Sequence, residues 1–213
     1  MNSVARIPLT TTPEQTARLL ALQAAFAQVC SVLSPVAAQQ RCWNRVALHH
    51  LMYRKLRDQF PALGSQMVCN AIYMVCKMSR LIYQGADSPF NLTRMGDRLL
   101  PSIRFDPLCP VFFDSHTLSM KAGQLSIFTL GGRMRFALPL KPAQMLQFAS
   151  RRVLEISLYR RADGVHELSF SFEPLATAPA VVPAPVALAA RVRSAAVVAA
   201  PRWPDYLHVE TAS

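Results

Sequence analysis

The residues whose types and spacing most suggest chemistry are the cations of a helical segment that begins near Arg45. Apolar residues recur there at helical spacing, namely Leu48, Leu51, Met52 and Leu56. The other face carries Arg45, His49, Arg54 and Arg57. A helix with cations along one face is typical of a surface that contacts phosphate. A solvated basic face on a bundle helix has the same pattern, so both interpretations stay open.

Other residue clusters do not indicate catalysis or a metal. The cysteines form no CxxC pair and have no histidine at zinc-finger spacing: Cys30, Cys42, Cys69, Cys76 and Cys109. We interpret them as buried thiols in a reducing cytosol. His49 and His50 point to different helix faces, and Asp106 and Asp114 are more simply strand-end residues than a carboxylate pair. The sequence therefore predicts no cofactor, no metal and no nucleophile beside a base.

The composition predicts a folded, basic protein with a polyanionic partner. Of 213 residues, 52% are hydrophobic and 16% charged, which is enough to bury a core. Of the 23 cationic residues 20 precede Pro174, as do 10 of the 12 acids, so the positive charge belongs to the folded part. This balance favours nucleic acid as the partner. We expect a cytoplasmic protein without a membrane partner, because no signal peptide or spanning apolar run is evident.

Three helices are predicted to hold the cationic face. The first begins after Thr12, which can cap it; Pro13 suits the first helical position, and Gln15 completes a capping box with Thr12. This helix is expected to end at Pro35. The second runs roughly over residues 44–60. The third covers residues 65–84, with Ser65 as its cap and an apolar face of Ala71, Met74, Val75, Met78 and Ile82.

Short alternating segments precede and follow these helices. One strand is predicted at residues 2–9, and others at 102–106, 116–121, 124–130, 133–138 and on both sides of Asp163-Gly164. Gly131-Gly132 is expected to be a two-residue hairpin turn. Residues 142–150 form either a short helix or a loop. From Leu175 to Pro201 the chain is rich in Ala, Val and Pro and is expected to be disordered, with a docking helix at 186–199 as the alternative.

The fold class expected from this order is α+β: a small antiparallel β-barrel with a three-helix bundle inserted after its first strand, then a disordered C-terminal tail. The expected division of the chain is a first strand at 1–11, the helical bundle at 12–98, the rest of the barrel at 99–174 and the tail at 175–213.

Three segments carry a resemblance to a known family: LTTTPEQTARL at the start, LHHLMYRKLRDQFPALGSQM in the helices and VFFDSHTLSMKAGQLSIFTLGGRMRFAL in the strands. Together they resemble the N-terminal half of the TnpB family of transposon-encoded RNA-guided nucleases and their compact type V CRISPR relatives. The resemblance covers roughly residues 3–173. It implies that the barrel is an oligonucleotide-binding-like wedge domain and the helices a recognition domain, which together grip guide RNA and a short DNA motif.

The resemblance also implies particular contacts. Gln66 falls where the family places a Gln that faces the DNA motif, and its carboxamide can pair with an adenine edge. Local hydrogen bonding at the helix start is the alternative. Asn44 and Arg45 are weaker candidates on the same surface. The full set of predicted nucleic-acid contacts is Asn44, Arg45, Arg54, Arg57, Gln66, Asn70, Lys77, Arg133 and Arg135.

The sequence departs from the family after Glu173. The family continues there into a ribonuclease H-like domain, whereas here only Asp205 and Glu210 follow, in Pro-rich sequence with no predicted strand. We therefore expect a nucleic-acid-binding protein that is not itself a nuclease, for which a separate partner could supply cleavage. Two alternatives remain: a truncated or decayed transposon product without activity, and an interaction subunit of a larger RNA-guided effector complex.

Overall fold

The fold combines helices with antiparallel strands, which confirms the expected α+β class. The computed structural model describes residues 3–121, 123–174 and 203–210. Its helices within these ranges are α1 (Pro13–Gln39), α2 (Arg45–Gln59), α3 (Ser65–Tyr83), α4 (Leu92–Met95) and α5 (Pro142–Ser150). Its strands are β1 (Ser3–Pro8), β2 (Ser102–Phe105), β3 (Val111–Phe113), β4 (Leu118–Lys121), β5 (Gln124–Thr129), β6 (Gly132–Ala137), β7 (Val153–Arg160), β8 (His166–Phe172) and β9 (Leu207–Glu210).

The first strand pairs with a strand far along the chain. β1 lies antiparallel to β8, in a sheet of order β1-β8-β7-β3. The β7–β8 hairpin turns at Asp163-Gly164, and Gly164 has a φ of 87°, a conformation that favours glycine. Helices α1, α2 and α3 all lie between β1 and β2 in the chain, as the sequence predicts.

The strands of the described residues do not close into the small barrel predicted from the sequence. The described residues form three hydrogen-bonded sheets: β1-β8-β7-β3, the meander β4-β5-β6, and the pair β2-β9. In the meander the last pair is Thr129 with Gly132, so the turn residues are Leu130 and Gly131 rather than the predicted Gly131 and Gly132. Strand β3 was not predicted, because Pro107 and Pro110, which precede it, suggested a turn.

Helix α1 has the predicted start but a later end. Thr12 accepts a hydrogen bond from the Gln15 backbone N–H, and the Gln15 side chain accepts one from the Thr12 N–H, which completes the capping box. The prediction that Pro35 ends the helix is wrong, since α1 continues to Gln39. Burial of Ala37 and Ala38 in the core stabilises the last turn and offsets the N–H that proline lacks.

Helix α1 is also the one described helix that is long and apolar enough to cross a bilayer by length and composition. No such run was expected from the sequence. Half of its most apolar window is buried within the protein, where it packs against α3 and β2.

Helices α2 and α3 pack their apolar faces inward with two departures from prediction. Leu48, Met52 and Leu56 are buried, but Leu51 is 49% exposed. The cap of α3 is Gly64 rather than Ser65, with no side-chain hydrogen bond. A Cβ on Gly64 would lie 2.6 Å from the Phe128 ring of β5. Only glycine therefore leaves room for this ring beside residue 64.

The prediction of a wholly disordered tail is wrong for its last described part. Residues 207–210 form β9, which pairs antiparallel with β2. Glu210 therefore lies in a strand, contrary to expectation. Leu207 is buried, and burial of this side chain together with ladder hydrogen bonds gives the segment a fixed position. The expectations for residues 175–202, including the docking helix at 186–199, lie outside the described residues.

Candidate nucleic-acid interface

Helix α3 presents a polar stripe toward strands β3 and β7. Gln66, Asn70, Tyr73 and Lys77 recur at intervals of four, three and four residues, which places them along one side of a helix. The opposite side is apolar and buried, as in an amphipathic helix. Three of these residues were predicted as contacts. Tyr73 was missed, although the same spacing identifies it.

At one end of the stripe, Gln66 is held by a carboxylate. Its amide nitrogen donates to Asp114, whose other carboxylate oxygen accepts from the backbone N–H groups of His116 and Thr117 at 3.1 Å each. The Asn70 amide nitrogen lies 3.4 Å from the Thr117 hydroxyl, and Asn70 is only 5% exposed. Among the described residues, the amide oxygen of Gln66 accepts no hydrogen bond and is available to a ligand, whereas the nearly buried Asn70 bonds within the protein.

At the other end, Glu155 collects two donors from α3. The Lys77 ammonium lies 2.6 Å from one Glu155 oxygen and 2.7 Å from the other, and the Tyr73 hydroxyl donates to Glu155 at 2.9 Å. Lys77 also lies 5.0 Å from the centre of the Phe112 ring. Burial, and then the hydrogen bond to Glu155, raises the pKa of Tyr73 to about 12. The charge of Lys77 is thus offset locally.

The start of α2 completes this region. The Arg45 guanidinium lies 5.7 Å from the centre of the Tyr73 ring. Asn44 caps the helix, because its side-chain oxygen accepts from Val46 N at 3.0 Å and from Ala47 N at 3.1 Å. A cavity of about 190 Å³ is lined by Arg45, Asn70, Tyr73, Phe112, Phe113, Asp114, Leu154 and Glu155. We call it the α3 pocket.

The α3 pocket brings together distant predicted residues but is electrostatically mixed. Arg45 and Asn70 line it, while Gln66 and Lys77 bind its two carboxylates, Asp114 and Glu155. Those two carboxylates would repel an anionic group, such as a phosphate, that entered the pocket. The pocket is therefore suited to hydrogen bonding with a polar group rather than to holding phosphate by charge.

The two predicted arginines in the second half of α2, Arg54 and Arg57, have different surroundings. Arg57 is half-buried and donates to the Leu63 carbonyl, which ties the end of α2 to the turn before α3. Arg54 is exposed and has no hydrogen-bond or ion-pair partner in the described ranges. Of this pair, Arg54 is the one whose guanidinium is available to a ligand.

A second polar surface, the outer face of the β4-β5-β6 meander, carries unopposed positive charge. Alternation along the strands directs one set of side chains outward around a groove of about 430 Å³. The groove is lined by Ser119, Lys121, Gln124, Ser126, Arg133 and Arg135. Three of these are cations and, within the part of the chain that the structure describes, none is an acid. We call this surface the basic sheet face.

The cations of the basic sheet face are not equivalent. Arg133 donates to the His116 carbonyl at 2.6 Å and approaches the Ser126 hydroxyl at 3.3 Å, so it also braces the sheet. The side chains of Lys121 and Arg135 are exposed and have no such partner among the described residues. Sequence reasoning named the two arginines but missed Lys121, which the alternation of its strand would have placed on the same face.

Helix α1 fixes the position of the meander. Arg18 donates to the Thr129 hydroxyl at 3.0 Å and to the Gly131 carbonyl at 3.1 Å, at the β5–β6 turn. Gln15 approaches the Arg135 carbonyl at 3.4 Å. These bonds join the first helix to strands more than 100 residues later. The basic sheet face is therefore held at a set position on the helical part of the molecule.

Among the described residues, no group of three or more His, Cys, Asp or Glu side chains is placed to hold a metal ion. A scan against protein-family models finds no match to the chain. A search of curated proteins likewise finds no similar sequence.

Proposed function

We propose that this chain is a nucleic-acid-binding module whose basic sheet face contacts the phosphate backbone. The observation that carries the proposal is the set of three outward cations, Lys121, Arg133 and Arg135, without an acid on the same described face. Each exposed cation that neutralises a phosphate releases condensed counterions and so favours binding. The formal charge of +11 adds a long-range attraction.

The proposed partner is structured RNA, as in TnpB-like proteins. The pairing of β1 with β8 across an inserted set of helices supports this, because it matches the expected order of a wedge interrupted by a recognition domain. In this proposal the three sheets together correspond to the wedge domain and α1–α3 to the recognition helices. Binding is the proposed activity, and a separate nuclease partner would supply any cleavage.

We further propose that the α3 pocket reads a short DNA motif. Its support is the convergence of Arg45, Tyr73 and Asp114 around one cavity next to Gln66. Side-chain amides are suited to base edges, whereas the cations of the basic sheet face are suited to the backbone. The α3 pocket would thus supply sequence specificity, and the basic sheet face would supply affinity.

The test compares two charge-matched double variants. Lys121→Ala with Arg135→Ala removes two cations from the basic sheet face, whereas Arg6→Ala with Arg152→Ala removes two exposed cations elsewhere. Fluorescence anisotropy with a labelled RNA hairpin bearing a single-stranded tail is measured from 50 to 300 mM salt. For the first variant we expect weaker binding and a slope of log K against log salt reduced by roughly 0.7 to 0.9 for each phosphate that is no longer neutralised.

The control variant should keep nearly the wild-type slope. An equal loss in both variants would mean that only net charge matters and would overturn the basic sheet face as the binding surface. Purifying the protein from its host and sequencing the bound RNA identifies the natural partner. Recovery of no RNA above a background set by the Lys121→Ala, Arg135→Ala variant would contradict RNA as that partner.

A further inference from the structure

Strand β2 is short, and the backbone hydrogen-bonding groups on each of its two edges require partners. On one side, α1 supplies side-chain hydroxyls: Ile103 N donates to Ser34 Oγ at 2.9 Å and Phe105 N to Ser31 Oγ at 3.0 Å. On the other side, the backbone pairs with β9, and Asp106 N donates to the Tyr206 carbonyl at 2.9 Å. Without β9, that second edge of β2 would lose its backbone partners.

Side chains of residues 203–210 pack beside this edge, and we call these residues the C-terminal clasp. Leu207 is 5% exposed. The Trp203 ring stacks on Phe90 with centroids 6.1 Å apart, and the Tyr206 hydroxyl lies 3.8 Å from the Met78 sulfur. At the other end Glu210 forms an exposed ion pair of 2.8 Å with Arg104. Backbone pairing and apolar packing thus act together, as in proteins that bind a peptide as an added strand.

The clasp is attached to the fold by a small number of interactions. Leu207 is its one buried residue, and β2-β9 is a sheet of only two strands. Two-stranded sheets are marginal by themselves. In the sequence, 28 residues separate Pro174 from Trp203, so the clasp is not a direct continuation of β8. Its removal would leave the hydrogen bonds within the other two sheets intact.

We propose that the edge of β2 that pairs with β9, with Phe90 and Met78 beside it, is a strand-acceptor groove that also binds the C-terminal clasp of a second copy of this chain. A second copy carries the sequence that the groove already accommodates, so exchange replaces each interaction by an identical one. The interaction is a symmetric strand exchange that gives a dimer. It does not involve the basic sheet face and is independent of the proposed function.

The test uses the full-length variant Leu207→Asp, whose own clasp is weakened while the groove is unchanged. The probe is a fluorescein-labelled peptide, WPDYLHVE, and the control peptide carries the same Leu207→Asp change. We expect the variant chain to bind the probe about tenfold or more tightly than wild type does, because the tethered clasp of the wild type competes at high effective concentration. The control peptide should bind neither chain.

The proposed groove would be overturned if folded Leu207→Asp failed to bind the probe, or if Leu207→Asp and the wild type bound it equally. Labelled wild-type chain mixed with Leu207→Asp should also form a dimer on gel filtration, and probe binding without this dimer would overturn the second copy as partner.

If Leu207→Asp does not fold, hydrogen exchange of the wild-type protein tests the proposal instead. The amides that join the two strands, at Arg104, Asp106 and His208, should then exchange together, about tenfold or more faster than those of β8, and equal protection would overturn the proposal.

Discussion

At the residue scale, several side chains predicted to bind a ligand are already engaged within the protein. Asn44 caps α2, Arg57 closes a turn, and Lys77 pairs with Glu155. Residue type and helical spacing give the same pattern for a binding face and for a face that contacts neighbouring elements. The partner of each side chain therefore decides which residues are available, and Arg54 and Arg135 are available where Arg57 is not.

Gln66→Ala tests base recognition. The bond from its amide nitrogen to Asp114 orients the carboxamide and leaves the oxygen as an acceptor. We expect loss of preference at one base pair, costing about 1 to 3 kcal/mol, with non-specific affinity nearly unchanged. Binding-site selection on wild type and variant measures this, and exposed Gln59→Ala is the control. Identical motif preferences in all three proteins would reduce Gln66 to a helix-terminus residue.

Glu155→Gln tests the polar end of the α3 pocket. Burial is the largest cause of the raised pKa of Tyr73, and Glu155 adds to it through a hydrogen bond and its charge. Removing that charge should lower the Tyr73 pKa from about 12 while leaving it above the ordinary value of 10.0, because burial remains. Ultraviolet difference titration follows the phenolate, and Tyr73→Phe identifies its contribution. An unchanged titration in Glu155→Gln would show that the carboxylate does not act on this phenol.

At the element scale, packing between the α2–α3 turn and β5 sets the position of the basic sheet face. Gly64 approaches the Phe128 ring, and Arg57 holds the same turn through the Leu63 carbonyl. On the other side of the meander, Arg18 of α1 holds the β5–β6 turn. The sheet is thus positioned by contacts at Phe128 in β5 and at the β5–β6 turn.

Gly64→Ala tests the close approach to Phe128. A Cβ there would lie 2.6 Å from the ring, so the ring or the turn must move, at a cost of about 1 to 3 kcal/mol in the free energy of unfolding. Gly131→Ala is the matched control, since its Cβ would meet its nearest neighbour, Arg18, at an ordinary 3.6 Å. Urea denaturation measures the free energy of unfolding of both variants. Adding Phe128→Leu should restore part of the loss, and no restoration would place the strain elsewhere.

Arg54→Ala and Arg57→Ala should separate binding from stability. Loss of the partly buried hydrogen bond from Arg57 to Leu63 should cost about 1 to 2 kcal/mol of unfolding free energy. Loss of the exposed Arg54 should change stability by less than about 0.5 kcal/mol, yet weaken RNA binding and lower its salt slope. Equal stability of the two variants would contradict the structural role of Arg57.

At the scale of the whole molecule, a buried hydrogen-bond chain joins the strands to the helical part. His166 of β8 donates from Nε2 to the Gln23 amide oxygen at 3.1 Å, since an amide oxygen can only accept. Gln23 of α1 then donates to the Leu108 and Cys109 carbonyls at 3.0 and 3.2 Å. His166 is fully buried, and in the described structure its Nδ1 has no hydrogen-bond partner.

The position of His166 predicts a loss of stability in acid. Burial, and then the charge of Arg160, lowers the pKa of His166 below 6.5 in the folded protein. An unfolded chain binds this proton near pH 6.5 and the folded protein resists it, so unfolding becomes easier as pH falls below that value, by up to about 1.4 kcal/mol per pH unit. Urea titrations from pH 7.5 to 5 measure the slope. His166→Gln should flatten it and the exposed His50→Gln should not, and an equal slope in His166→Gln would exclude this group as the source.

Local patterns determined much of the fold. The Thr12 capping box, the period of α3 and the turn at Asp163-Gly164 depend on interactions between residues close in the chain, and each is present as predicted. The insertion of α1, α2 and α3 between β1 and the later strands also follows from the order of patterns along the sequence. Amino-acid order was sufficient for these features because short-range hydrogen bonds and side-chain periodicity specify them.

The candidate sites required tertiary structure because their partners are distant in sequence. No local pattern links Lys77 with Glu155, Gln66 with Asp114, or β2 with a strand beyond residue 200. Composition suggested a polyanionic partner, but it did not show which cations are already paired. Packing determined that α1 continues past Pro35 and that the described strands form three sheets, because burial and pairing between distant elements outweigh local preferences.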